Sequence, residues 1–298
     1  MTTHFKDWWQ AARPPFYIAT LIPLALGFVA AIKSGAQARP GLFALVLLGS
    51  FVVHMATNMA NDLFDHIQGV DAGPNIGGSR VIQEGKIAPK DLSAALFILY
   101  TLGLVSAIVI IDLSGRPVLW GLVIFAALSS IFYVAPPVKY GHRALGELFV
   151  FINMGLIMVA GTFLAVGGVW GRGVLALAIP VGLMVAGILY YQSLPEIETD
   201  LAAGKKTLAN VLGKEKAAFL FVLWWPLVWL LMLNLWLSGL AAWPVCLAPA
   251  TAPLHCRAIS KIREAGKGDW LPLDQHGHLV RKLYFLNGIL LIAGVALK

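Results

Sequence analysis

Apolar stretches of about 20 residues, the length a helix needs to cross the hydrocarbon core of a bilayer, recur along this chain with short polar breaks. Runs at 16–34, 41–60, 92–112, 116–135, 144–166, 173–194, 216–236, 239–255 and 279–297 predict about nine transmembrane helices. With 59% hydrophobic and 12% charged residues over 298 positions, the chain cannot cover a water-facing surface, since soluble domains carry roughly twice that charged fraction. The expected fold is therefore all-α, a polytopic membrane protein with a single transmembrane domain over 1–298. Met1–Arg13 is polar and Trp-rich and lacks the apolar core of a cleavable signal, so the first run is expected to stay in place. Cys246 and Cys256 lack metal or redox spacing and read as small apolar fillers.

Charge fixes the orientation. With nine spans, 17 of the 22 Lys and Arg fall on the N-terminal face, and only Lys33, Arg39, Arg116, Arg172 and Lys298 on the other. Cationic loops stay inside, so the N-terminal face is expected to be cytoplasmic and the membrane the inner one. The net charge of +7 follows this topology and gives no reason to expect nucleic acid. The long loops around 61–91, 195–215 and 256–278 lie on the cytoplasmic face, where function is expected. Of 15 acidic residues, only Asp112 falls on the far side. Carboxylates mixed with cations on one face suit a highly charged ligand held with a metal.

Two acidic clusters stand out. The first ends the second span: Asn58-Met-Ala-Asn61-Asp62-Leu-Phe-Asp65-His-Ile-Gln-Gly69-Val-Asp71. On a continuing helix Asn61 and Asp65, four apart, share a face, and Asp62 and Asp65 also meet. Hard oxygen donors of this kind suit Mg²⁺ completed by water and phosphate oxygens. A helix cap needs only one such residue, and several like charges beside lipid cost a few kcal/mol each. The second cluster ends the sixth span: Tyr190-Tyr191-Gln-Ser-Leu-Pro195-Glu196-Ile-Glu198-Thr-Asp200, followed by Gly204-Lys205-Lys206. Glu196 and Asp200 repeat the four-residue spacing, and Pro195 can aim the turn into a bundle. Each cluster is trailed by glycine and cations, Gly77-Gly78-Ser79-Arg80 and Lys86 after the first. Exposed backbone N–H groups with Arg or Lys bind phosphate, and the pattern suits a Mg²⁺-bridged diphosphate. The two stretches look like a parallel internal repeat.

The run Tyr133-Val-Ala-Pro136-Pro137-Val-Lys139-Tyr140 breaks a helix at the same face. It reads either as a site or as an interfacial anchor. Trp8, Trp9 and Arg13 read as an anchor, Trp224, Trp225, Trp229, Trp236 and Trp243 as lipid-facing belt residues, and His54 as a packed side chain.

Together these residues resemble the UbiA superfamily of intramembrane aromatic prenyltransferases. The resemblance rests on Asn61-Asp62-x-x-Asp65 with Gly69-x-Asp71, the Tyr133 to Lys139 run, Glu196-x-x-x-Asp200 with Ala203-Gly204-Lys205-Lys206-Thr207, and Trp8-x-x-Ala-x-Arg13-Pro14. Gly77-Gly78-Ser79-Arg80-Val-Ile-x-x-Gly85 and Lys139-Tyr140 with Leu145-Gly146-Glu147 are most like the subgroup that prenylates 1,4-dihydroxy-2-naphthoate in menaquinone synthesis. Glu196 stands where the superfamily usually has Asp. The resemblance implies a bundle of nine spans around a central cavity open to lipid, and Mg²⁺-dependent ionisation of a polyprenyl diphosphate that alkylates an aromatic acid acceptor. It implies a metal set of Asn61, Asp62, Asp65, Glu196 and Asp200. Arg80, Lys139, Lys205 and Lys206 become binders of diphosphate or of the acceptor carboxylate. Asp62, Lys139, Tyr140 and Tyr191 become candidates for the catalytic centre, the tyrosines orienting substrate or facing positive charge with their rings. Asp71 and Glu198 receive no role. Other acceptors (4-hydroxybenzoate, homogentisate), an intramembrane terpene cyclase and a cation-coupled transporter are the competing functions. The transporter is disfavoured because the acids lack a matching set on the far face.

Overall fold

A computed structural model describes residues 4–37, 39–70 and 77–298. Asp71 lies outside them. Helices α1 (Phe5–Ala12), α2 (Ile18–Lys33), α3 (Pro40–Ile67), α4 (Pro89–Ser114) and α5 (Leu119–Phe132) come first. Then α6 (Gly146–Val150), a π-helical stretch Phe151–Ile157 and α7 (Met158–Ala165) run on as one apolar rod. The chain continues through α8 (Arg172–Ser193), α9 (Ile197–Ala202), α10 (Leu208–Leu237), α11 (Ala252–Ala265) and α12 (Gly277–Ala296). No strand occurs among the described residues; the single bridge pairs Arg143 with Lys206. The molecule is an all-helical integral membrane protein.

Among the described residues six helices are long and apolar enough to cross a bilayer, and α1 with α2, bent by 52°, gives a seventh. The expected count of nine goes beyond this. Helix α5 spans only 14 residues, and the 239–255 segment becomes a 3₁₀ coil, Trp243–Thr251, leading into the more polar α11. Its Pro244 and Pro249 withhold backbone donors that an α-helix needs.

The helix ends follow local chemistry. Pro40 and Pro89 sit in the first turns of α3 and α4, where a missing N–H loses nothing. Thr207 caps α10 through a reciprocal exchange with Asn210. The main core gathers Leu26, Val181, Met184, Trp225, Val228, Leu283 and Leu291 from α2, α8, α10 and α12. Trp225 is fully buried, contrary to the belt role expected of it, and Trp224 stacks on Tyr190 with ring centroids 5.1 Å apart. Trp236 and Trp243 do face outward. Side chains of α4 such as Phe97 (76% exposed), Leu104 and Ile108 form a lipid-facing wall. The π-helical stretch meets α8 backbone to backbone: a Cβ on Gly155 would lie 2.3 Å from Gly182 Cα. Small residues at such crossings let membrane helices close up.

A smaller core positions the site. Ala11 and Ala12 of α1, Ala56, Ala60 and Leu63 of α3, and Val81, Ile82 and Ile87 of the following loop bury one another. The loop after the first acidic cluster is thereby folded back over the end of α3.

Candidate active site

Helix α3 runs 28 residues without a break, so the first cluster sits on its last two turns. The second cluster sits on a broken helix. Helix α8 ends at Ser193, and α9 restarts after Glu196, whose carbonyl accepts from Asp200 N at 2.8 Å. The 205–207 segment then pairs with the 142–144 segment: Lys206 N donates to His142 O at 3.2 Å, and Ala144 N to Lys206 O at 2.8 Å.

Two connected cavities open here among the described residues. One is an apolar chamber of about 450 Å³ between α3, α4, α5 and the α6–α7 rod. The other is a polar recess of about 340 Å³ at the helix ends, lined by Asn61, Asp65, Glu147, Glu196, Lys205, Asp274 and Arg281. Arg13, Phe16, Asn61, Tyr133, Leu189 and Gln192 line both and form the passage between them.

The charged core of the recess centres on Lys205. Its ammonium lies 3.4 Å from Asp200 Oδ1 and 3.9 Å from Asp65 Oδ2, so one cation bridges the two clusters. Burial alone would lower Lys205, yet Asp65, Asp200 and Glu196 outweigh it and raise the pKa above the usual lysine value. Asp65 also pairs with His142 Nε2 at 3.0 Å. Asp200 is fully buried, and neither carboxylate oxygen has a hydrogen-bond partner. Burial pushes its carboxyl up, against the pull of Lys205. A buried carboxylate left this way is expensive unless a further cation completes it.

Asn61, Asp65 and Glu196 line the recess with amide and carboxylate oxygens of the type Mg²⁺ takes, while Asp200 lines neither cavity and lies buried behind them against Lys205. Among the described residues no three His, Cys, Asp or Glu side chains stand close enough to hold an ion by themselves.

Other expected site residues are placed differently. Asp62 lines neither cavity. Its carboxylate accepts from the Arg13 guanidinium and from the hydroxyl and, at 3.0 Å, the N–H of Ser79. Asp62 therefore anchors Arg13 and the glycine-serine loop. Lys139 donates to Gln68 Oε1 at 2.6 Å, and Lys206 is exposed; neither lines a cavity. Arg80 holds a left-handed φ of 62° and acts on Glu84 rather than lining the recess. Tyr140 lines the apolar chamber, stacks on Phe149 and spends its hydroxyl on Ser129 O at 2.6 Å. Tyr191 is buried away from both cavities with its hydroxyl on Leu273 O at 3.3 Å. Glu198 pairs with Lys214 at 2.6 Å on the surface.

Arg13, His142, Gln192, Glu147, Asp274 and Arg281 enter the site unannounced by the spacing of the acidic motifs. Arg13 carried a signal: a left-handed φ of 52° at the break before Pro14 turns its side chain inward.

Residues 20–272 match the UbiA prenyltransferase family. A 1,4-dihydroxy-2-naphthoate octaprenyltransferase of Haemophilus influenzae is 32% identical, the match covering 71% of this chain and 70% of that protein. A 2-carboxy-1,4-naphthoquinone phytyltransferase of Synechocystis is 25% identical over 97% of this chain and 92% of its own. The structure of a UbiA homolog from Archaeoglobus fulgidus bound to GPP and Mg²⁺ superposes with a TM-score of 0.65 at 18% identity, covering 96% of this chain and 99% of that one. An apolar chamber opening through Asn61 into a recess of carboxylates and lysine is thus found in a chain that belongs to the UbiA prenyltransferase family, as a membrane-embedded prenyltransferase.

Proposed function

We propose that this enzyme transfers a polyprenyl group from polyprenyl diphosphate to 1,4-dihydroxy-2-naphthoate, with Mg²⁺, as a step of menaquinone synthesis. The observation that carries the reading is the junction of the two cavities. The recess presents Asp65, Glu196 and Lys205, the chamber is apolar enough for an isoprenoid tail, and both are lined by Asn61, Arg13 and Gln192. A molecule with a charged head and a long apolar tail fits both at once. The relatives from Haemophilus and Synechocystis bear names of naphthoate-type acceptors, which supports the choice of acceptor.

Asn61, Asp65, Glu196 and Asp200 would hold Mg²⁺, which when bound neutralises charge on the departing diphosphate. Lys205 sits where it can turn from the carboxylates to diphosphate oxygens. Arg13, fixed by Asp62, guards the passage. The bond from prenyl carbon to diphosphate oxygen breaks with the electron pair leaving on oxygen. The allylic cation forms in an apolar chamber that keeps out the water which would capture it. An electron-rich ring carbon of the acceptor supplies the pair for the new bond, and its carboxylate leaves as carbon dioxide. The lysine and arginine bias supports a recess on the cytoplasmic side of the inner membrane.

The test is incubation of the purified protein with Mg²⁺, a labelled polyprenyl diphosphate and a panel of aromatic acids, followed by product mass. The expected product is the prenylated naphthoquinol lacking the carboxyl group. Turnover of 4-hydroxybenzoate or homogentisate alone would overturn the naphthoate assignment.

A further inference from the structure

Helix α3 carries a polar stripe that continues below the acidic cluster. His54, Asn58, Asn61 and Asp65 follow at intervals of four, three and four residues, so they fall within a narrow arc of the helix. The first three line the apolar chamber, and Asn61 and Asp65 line the recess. At about 1.5 Å per residue, His54 lies roughly 10 Å below Asn61 along the axis, inside the chamber and beyond reach of the diphosphate.

An isoprenoid tail offers this histidine nothing to hydrogen-bond, and a polar ring in a wall meant only for hydrocarbon is costly. Yet the ring is deliberately held. Its Nδ1 is bonded to the hydroxyl of Thr20, which is fully buried in α2, at 2.6 Å. Tyr17 packs edge-on against the imidazole with centroids 5.4 Å apart. Among the described residues Nε2 has no hydrogen-bond partner, while the hydroxyls of Thr57, Tyr100 and Ser130 on the same chamber wall are spent on one another. Thr57 contacts Ser130 at 2.6 Å, Tyr100 contacts Ser130 at 2.9 Å, and Thr57 donates to Val53 O at 2.9 Å. His54 is thus a fixed ring with one nitrogen satisfied from behind and one left open.

We propose that His54 Nε2 hydrogen-bonds a ring oxygen of the aromatic acceptor, with Thr20 as the positioning residue that sets the imidazole's orientation. The inference rests on the reading above that a phenolic aromatic is the acceptor. A phenolic oxygen both donates and accepts, so it pairs with Nε2 in either tautomer. A two-ring acceptor held at His54 reaches back toward Asn58 and Asn61, which brings its nucleophilic carbon to the passage where the allylic cation forms.

Steady-state kinetics of purified variants test this, with 1,4-dihydroxy-2-naphthoate and 4-hydroxybenzoate as acceptors. His54→Phe should raise the acceptor KM about tenfold while the polyprenyl diphosphate KM stays within about twofold. Thr20→Val should shift the acceptor KM the same way by less, and Thr20→Ser, which keeps the hydroxyl, should restore it. Should His54→Phe fail to fold, the Thr20 pair and His54→Asn carry the comparison. A rise in the polyprenyl diphosphate KM alone would assign His54 to the tail path and overturn the proposal, as would unchanged acceptor KM values or a Thr20→Ser as impaired as Thr20→Val. A wild type that prenylates only 4-hydroxybenzoate removes the naphthoate assignment, and the His54 comparison is then read on that acceptor. A wild type that prenylates neither overturns both.

Discussion

The two acidic clusters share spacing and membrane face but not condition. On α3 the first is already engaged: Asp62 holds Arg13 and Ser79, and Asp65 holds His142. On α9 the second leans on one cation: Asp200 is fully buried with the Lys205 ammonium 3.4 Å from Oδ1. Lys205 bridges the two, 3.9 Å from Asp65 and 3.4 Å from Asp200. An uninterrupted helix can rely on its own loop for partners, whereas the restarted helix delivers a fully buried carboxylate that leans on the Lys205 ammonium. The difference suggests a division of labour, one cluster building the frame and the other waiting for the ligand's cation.

The largest effects should come where both clusters meet the diphosphate. Asp65→Asn and Asp200→Asn nearly conserve volume, and each should lower kcat/KM by about 10² to 10³ through loss of one electrostatic contact, read by initial rates of prenyl transfer. The clusters should separate in stability. Asp62→Ala strands the half-buried Arg13 and should cost about 2 kcal/mol by thermal unfolding in detergent. Asp200→Asn should cost about 1 kcal/mol or less, because Asp65 still faces Lys205 when the Asp200 charge is gone. Equal destabilisation by the two would erase the distinction between frame and ligand cluster.

Lys205→Met sharpens the comparison next. Polyprenyl diphosphate should bind about tenfold more weakly, while Mg²⁺ alone should bind more tightly than to the wild type, by calorimetry, because the cation between Asp65 and Asp200 is gone. Weaker binding of both would mean that Lys205 serves only as scaffold. The smallest effect is the control: Asp112→Asn, on exposed α4 surface at the opposite face, should change stability by less than about 0.5 kcal/mol and leave turnover unchanged.

Periodic features were legible in the chain. Apolar length announced the membrane, and four-residue spacing put Asn61 and Asp65 together on the recess wall, because helix geometry turns spacing into proximity. Non-local partnerships were not legible. Arg13 beside Trp8 and Trp9 has the look of an interfacial anchor, and its bond to Asp62 spans 49 residues. Lys205 and Lys206 are indistinguishable as neighbours; only the turn closed by Lys205 N on Asp200 O at 2.8 Å sends the first inward and the second to the surface. Tyr191 precedes the acidic turn yet faces the packed side of α8 against Phe221. Trp225, set among other tryptophans, reads as belt until the packing of α10 is known.

That the two clusters act on one shared ligand is tested most directly by a double-mutant cycle. The binding of an unreactive polyprenyl thiodiphosphate would be measured with Mg²⁺ for the wild type, Asp65→Asn, Asp200→Asn and the double variant. A shared Mg²⁺-diphosphate makes the losses non-additive, with a coupling of at least about 1 kcal/mol. Losses that simply add would mean that Asp65 and Asp200 serve separate sites, and the two-cluster mechanism would fall.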